Sequence, residues 1–453
     1  MKVPLRYPFL RRGILVYDDN KANLSLILNP YQRSGAKITL LNSFERLILK
    51  RLTGQTTTSE MCKGLTIPEK EILSTLEKWA NPEWNMVFLL NRPLEEIRVL
   101  EVKETKYRTV LNELKQEVAS VKNAEEELND LKQYHELKIQ DPLTQFEEVE
   151  TTVSHYFRKP HPILGGKNYG AALVGVLIQE GVIKKPMHIL EVGGGTGIFG
   201  KCILDEVKKQ MPETYREMSY HFLELSPALL KSQKEATQDH HEVTQFNQGD
   251  IERHDFKDKK FDLILCNEMI ADLTTVKLNK NDLHPLIHEL RIDIQDAQNP
   301  FLFNLGAITL LKTIKQILKN GGHAYLIEYG SPHTYPIAAY LKDHTEYSIH
   351  FGLLERAAKN LSLHPILTNL SNFLPFDKEI QVIDDVSLAL INNYLLPFLG
   401  RKKIPIMAYT EEMLKEKLGE IYQNLSLMEF FRVGSNEFTL DPARFWVLHL
   451  KKE

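Results

Sequence analysis

The sequence is poor in cysteine, poor in tryptophan and almost without net charge, and it holds no long apolar run. Its three cysteines, Cys62, Cys202 and Cys266, are scattered and odd in number. They make neither a disulfide framework nor a metal knuckle, and they fit a reducing compartment. Lys and Arg number 56 against 60 Asp and Glu, a formal net charge of −4. No global positive field is available, so nucleic-acid binding would need a local basic patch. No stretch approaches the ~20 apolar residues of a membrane span. The run Gly13-Ile-Leu-Val ends at Asp18 and Asp19, too short for a signal peptide's apolar region. Sixteen histidines, including the pair His240-His241, lack ligand spacing, so no metal is expected. These absences predict a cytoplasmic protein that engages neither membrane nor nucleic acid.

What is present is an ordinary globular composition, 43% hydrophobic and 26% charged over 453 residues. Single cores stop growing near ~250–300 residues, so two or three domains are expected. Residues 1–92 predict a small α+β domain of winged-helix pattern. Gly13–Tyr17 and Leu24–Leu28 read as strands joined by the turn cluster Asp18-Asp19-Asn20-Lys21, and Lys37–Leu41 as another. Asn42-Ser43 can cap a helix from Phe44 to Leu52, Thr57-Thr58-Ser59 a second, and Pro68 opens a third. A last strand, Met86–Leu90, closes the unit. Residues 93–150 then predict a helical connector, rich in Glu and Lys and with a broken near-heptad stripe at Leu114, Val118, Val121, Leu128 and Leu131.

From 151 to 453 helix-like and strand-like stretches alternate, the signature of an α/β, Rossmann-like sheet. Strands are expected at His188–Val192, Ser219–Leu225, Val243–Asn247, Phe261–Cys266 and His323–Tyr329. Glu437–Lys451 predicts a C-terminal antiparallel hairpin closing that sheet. The 360–430 region predicts packed helices and carries no readable motif.

The strongest signal is His188-Ile-Leu-Glu-Val-Gly-Gly-Gly-Thr-Gly-Ile-Phe-Gly200, an apolar strand, a glycine-rich turn and a helix. Glycines let backbone approach a ligand, and the helix start offers free N–H groups. Gly195-x-Gly197-x-x-Gly200 satisfies the dinucleotide fingerprint. A pyrophosphate would be repelled by Glu191, however, whereas a carboxylate there can hold a ligand's ammonium. Downstream, Glu224 is placed for ribose hydroxyls and Asp250 for an adenine amino group, with Leu225 and Ile251 beside them. The next strand ends in Asn267-Glu268, where reacting groups belong.

The loop Glu191-x-Gly193-x-Gly195-x-Gly197 is similar to that of class I S-adenosyl-L-methionine (SAM) methyltransferases. The runs "ILEVGGGTG", "FLELSPALLKSQ", "FDLILCNEMIADL", "GGHAYLIEYG" and "YSIHFGLLERAAKNLSL" resemble the MidA-like methyltransferases, which include a protein-arginine methyltransferase that assists respiratory complex I assembly. That likeness covers about Pro186–Leu363. It implies SAM as cofactor and gives Glu224-Leu-Ser-Pro227 with Gln233 to the cofactor ribose. Asn267-Glu268 becomes the substrate-facing strand end. The chain departs from the family pattern at Ala271, where the family has aspartate, and at Glu328, which replaces another. Glu268 is expected to orient or deprotonate an acceptor nitrogen, with Asp272 sharing the task or serving as a helix-terminal charge. Tyr169 and Lys167, in a loop flanked by Gly165 and Gly166, are expected either to close over the cofactor or merely to follow a turn. His350 is expected to be a structural histidine or to face substrate. The run from Lys37 to Trp79 resembles PqqD-like domains, which hold a precursor peptide's leader as an added strand. The resemblances together imply a peptide or protein substrate. The alternatives are a small-molecule methyltransferase whose winged helix makes a homodimer, and a SAM-fold assembly factor.

Overall fold

A computed structural model of the chain describes residues 7–22, 24–32, 37–65, 68–90, 134, 139, 141–142, 146, 151–184, 187–340 and 345–453. The connector expected at 93–150 lies almost wholly outside them. Two units are distinguished: 1–121 with 381–405 and 409–431, and 122–380 with 406–408 and 432–453.

In the first unit the strands Leu15–Asp19, Leu24–Asn29 and Lys37–Leu40 form an antiparallel meander. The strand Val87–Leu90 pairs with Tyr7–Leu10, a partner the sequence had not suggested. Three helices follow the predicted caps. Asn42 and Glu45 make a reciprocal capping box at Ser43–Leu49, and Thr57 and Glu60 make another at Thr58–Gly64. Pro68 precedes the third helix, Glu69–Ala80. Their apolar faces, among them Ile48, Met61, Ile72, Leu76 and Trp79, bury one core with Val16 and Ile27 of the meander. The meander gains a fourth strand from far downstream, Leu425–Ser426, antiparallel to Leu15–Asp19.

The second unit is built on one sheet, whose strands are labelled here in chain order: β1 His188–Val192, β2 Ser219–Glu224, β3 Thr244–Gln248, β4 Phe261–Asn267, β5 Leu318–Ser331, β6 His364–Asn369 and β7 Phe445–Lys451. Their order is β3-β2-β1-β4-β5-β7-β6, parallel except for β7, which lies antiparallel to both β5 and β6. Five helices matter for the site: α1 Val153–Tyr156, α2 Tyr169–Gln179, α3 Ile198–Gln210, α4 Pro227–Ala236 and α5 Phe351–Asn360. The central strands are buried on both faces, as a parallel sheet covered by helices requires.

The expected C-terminal hairpin is not formed. Asp441 accepts hydrogen bonds from the amides of Gly434, Asn436 and Ala443, which folds 434–443 into a loop. The last strand instead inserts between β5 and β6. β6 lies in a region expected to be helical, and it carries Pro365. Proline removes a ladder donor, which a strand tolerates at a sheet edge, and β6 is that edge. Among the described residues no helix is long and apolar enough to cross a membrane.

Candidate active site

Strand order reverses between β1 and β4. At such a switch point the following loops diverge to opposite faces and leave a crevice beyond the carboxyl ends of the strands. A cavity opens there. Each of four strand ends contributes to it: Val192 and Gly193 at the end of β1, Leu223 to Leu225 at β2, Gly249 to Ile251 after β3, and Met269, Asp272 and Leu273 after β4. Of the residues predicted from sequence, Gly193, Glu224, Leu225, Asp250, Ile251 and Asp272 are thus brought to one cavity.

The β1–α3 loop closes around its glycines. Gly193 has φ +66, and a Cβ there would stand 2.7 Å from that of Met269. Gly197 has φ +83, and its Cβ would meet the Cα of Gln233 at 2.6 Å. Side chains are excluded at both places; of the predicted loop glycines Gly193 lines the cavity, while Gly195 and Gly197 do not. Gln233, on α4, ties the loop to the next strand: its Nε2 donates to Gly195 O at 3.1 Å and to Glu224 Oε2 at 2.8 Å. Glu224 also accepts from the amide of Ser226, so its carboxylate is fixed at the cavity wall. Asp250 accepts from the amide of Glu252.

Glu191 is placed otherwise than expected. It is 1% exposed and does not line the cavity. Its carboxylate lies beneath the glycine loop, where Cβ atoms on Gly194 and Gly200 would come to 3.0 and 2.5 Å of its oxygens. Tyr220 donates to it at 2.7 Å, while Oε1 has no hydrogen-bond partner among the described residues. Burial pushes its carboxyl up to about 7, opposed by the Tyr220 bond and assisted by Glu224.

The substrate-facing end is a connected polar group. Asn267 Oδ1 accepts from Tyr169 Oη at 2.9 Å, and its Nδ2 donates to Glu268 Oε1 at 2.9 Å and Ser154 Oγ at 3.2 Å. Glu268 also accepts from the amides of Val153 at 2.6 Å and Ser154 at 3.0 Å. Its backbone has φ +54, a strained value for glutamate and one found at functional sites. Burial raises its carboxyl, and the Val153, Ser154 and Asn267 donors pull it back down. Glu328, at the end of β5, is raised well above the usual range by burial first and the Glu268 charge second. Glu328 accepts from the amides of Ala271 and Tyr329.

Tyr169 is no lid residue. It opens α2 and is 1% exposed, with Asn168 capping the helix. Gly165 and Gly166, both at positive φ, make only a turn, and a Cβ on either would meet nothing. Burial raises the Tyr169 phenol well above its ordinary value, so it stays a donor to Asn267. His350 is 2% exposed, edge-on to Tyr335 at 4.8 Å, and pushed down to about 4 by burial. Val153, Ser154 and Tyr220 were not foreseen as site residues. The run Thr151-Thr152-Val153-Ser154 carried only an N-cap signal, and Thr152 does cap α1. Among the described residues no group of three or more His, Cys, Asp or Glu could hold a metal ion.

The model of a family described as "Putative S-adenosyl-L-methionine-dependent methyltransferase" matches residues 170–276. No curated protein matches the chain. Among solved structures, one of a Haemonchus contortus phosphoethanolamine N-methyltransferase with S-adenosylhomocysteine is 14% identical, with a TM-score of 0.34 over 70% of this chain and 61% of that one. The chain thus spans less than two thirds of that enzyme's length. A glycopeptide N-methyltransferase complexed with sinefungin is 11% identical, with a TM-score of 0.31 over 63% of this chain and 94% of that one. An uncharacterised Burkholderia thailandensis protein is 14% identical, with a TM-score of 0.39 over 73% of this chain and 94% of that one. The matched segment holds the glycine loop, Glu224, Asp250 and Asn267-Glu268. Over those residues the chain is similar to a family described as S-adenosyl-L-methionine-dependent methyltransferases.

Proposed function

We propose that the protein methylates a nitrogen on a peptide or protein side chain, with the first unit binding the substrate or its leader. The observation that supports the nitrogen acceptor is Glu268. Its carboxylate is held by three donors on a strained backbone, one residue before the cavity-lining Met269. S-adenosyl-L-methionine would supply an electrophilic methyl group, and Glu224, Asp250 and the glycine loop would hold it. In-line transfer needs the acceptor lone pair free and aligned. A protonated amine or guanidinium has no free lone pair until a base takes a proton. Glu268, with its carboxyl raised, is suited to that task. Asn267, fixed by Tyr169, keeps the carboxylate aimed, and Asp272 adds a second acid at the cavity wall.

The peptide part of the reading is supported by the edge of the first unit's sheet. Lys37–Leu40 is an edge strand, Leu40 is 63% exposed, and Leu47 on the next helix is 48% exposed. An extended peptide can add to such an edge and seat apolar side chains there. The test is methylation of candidate precursor peptides with labelled cofactor. Leu40→Lys with Leu47→Asp should raise KM for a peptide at least tenfold and leave cofactor affinity unchanged. Turnover of a small amine at the same rate by both forms, with no peptide methylated, would favour a small-molecule enzyme and sink the peptide reading.

A further inference from the structure

The glycine loop has a neighbour upstream of the segment that matches the methyltransferase family. The ring of Phe146 stands against Gly195, where a Cβ would meet its atoms at 3.0 and 3.2 Å. Phe146 is buried with Tyr134, Ile139 and Leu229, the last on α4, the helix that follows Glu224. Its carbonyl accepts from the Thr151 hydroxyl at 2.7 Å, and its ring centre lies 6.0 Å from that of His155. Between these two contacts, Val153 and Ser154 give their amides to Glu268. One short stretch of chain therefore touches both the loop that cradles the cofactor and the carboxylate assigned to the acceptor.

We propose that Phe146 contacts the cofactor, and that the Thr151–Ser154 turn ties its seating to Glu268, so that a filled cofactor site sets the acceptor carboxylate. The proposal rests on the methyltransferase reading of this site. Gly195 has no side chain of its own, and the ring of Phe146 covers it from elsewhere in the chain. A ligand lying on the loop backbone gains apolar contact with the ring, and ordering the ring orders the turn that follows it. Coupling of this kind runs both ways between the two sites.

The experiment uses the full chain and S-adenosylhomocysteine as probe. Calorimetric titration should show binding weakened about tenfold in Phe146→Ala and largely recovered in Phe146→Leu. Hydrogen exchange at the Val153 and Ser154 amides should slow when the probe is added to the wild type, and slow less in Phe146→Ala. A purely structural role for Phe146 would lower the melting temperature but leave both readouts unchanged, and that result overturns the proposal. Tighter binding by Phe146→Ala also overturns it, because the ring would then be occupying the ligand's place. A wild type that binds no S-adenosylhomocysteine removes the methyltransferase reading itself, and this proposal with it.

Discussion

Replacing Glu191 by glutamine should change how the protein's stability depends on pH. The carboxyl lies beneath the glycine loop with one oxygen unpartnered, and it is raised from 4.5 to about 7. In the unfolded chain it ionises near its ordinary value, while in the folded chain it keeps its proton until about pH 7. Its contribution is therefore most favourable below pH 4.5 and is lost as pH rises through about 7. At about 1.36 kcal/mol per pH unit, the whole loss is about 3 kcal/mol, of which about 2.5 falls between pH 5 and 8. Glutamine fills the same space, keeps an oxygen for Tyr220 and does not ionise. Urea unfolding of both proteins at pH 5, 6, 7 and 8 gives the difference directly. Groups common to both forms cancel, so the variant should gain about 2.5 kcal/mol on the wild type across that range. Parallel pH curves for the two proteins would refute the reasoning, because they would mean that Glu191 is ionised throughout and stabilised by something other than Tyr220.

Three further outcomes follow from the site. Glu268→Gln should lower turnover by roughly 10²–10⁴ while S-adenosylhomocysteine still binds, read by initial rates and calorimetry. Unchanged turnover would remove Glu268 as the base. Gly197→Ala places a methyl 2.6 Å from the Gln233 backbone at φ +83. Cofactor binding should be lost and thermal stability should fall by about 1–3 kcal/mol. Gln233→Leu keeps the bulk but deletes the bonds to Gly195 and Glu224. It should weaken S-adenosylhomocysteine binding about tenfold, since each lost bond to a charged or buried partner costs about 1–3 kcal/mol.

The legible parts of this site are those whose cause is local. Gly193, Gly195 and Gly197 follow an apolar strand, and backbone sterics leave such a run few other uses. Glu224, Asp250 and Asn267-Glu268 sit at the ends of strands whose β-rich runs are visible on their own, so strand order alone carries them to one edge. The ties that complete the site are not local. Val153 and Ser154 meet Glu268 across 115 and 114 residues, and no spacing announces such a pair. Glu191 is a different case. Its charge and position beside the glycines are read from sequence, but its direction depends on Tyr220, which reaches it from the neighbouring strand. β6 was hidden by Pro365, whose cost vanishes only because that strand ends up at the edge.

The fourth strand of the first unit's meander has a consequence for how the chain is made. Residues near 15 pair with residues near 425, and 381–405 and 409–431 group with the same unit. At ribosomal rates of ~5–20 residues per second, the opening strands wait on the order of 20–80 s for their last partner. During synthesis the edge at Leu15–Asp19 is thus open to any other strand, and a nascent chain stalled before residue 425 carries it exposed to the cell's chaperones.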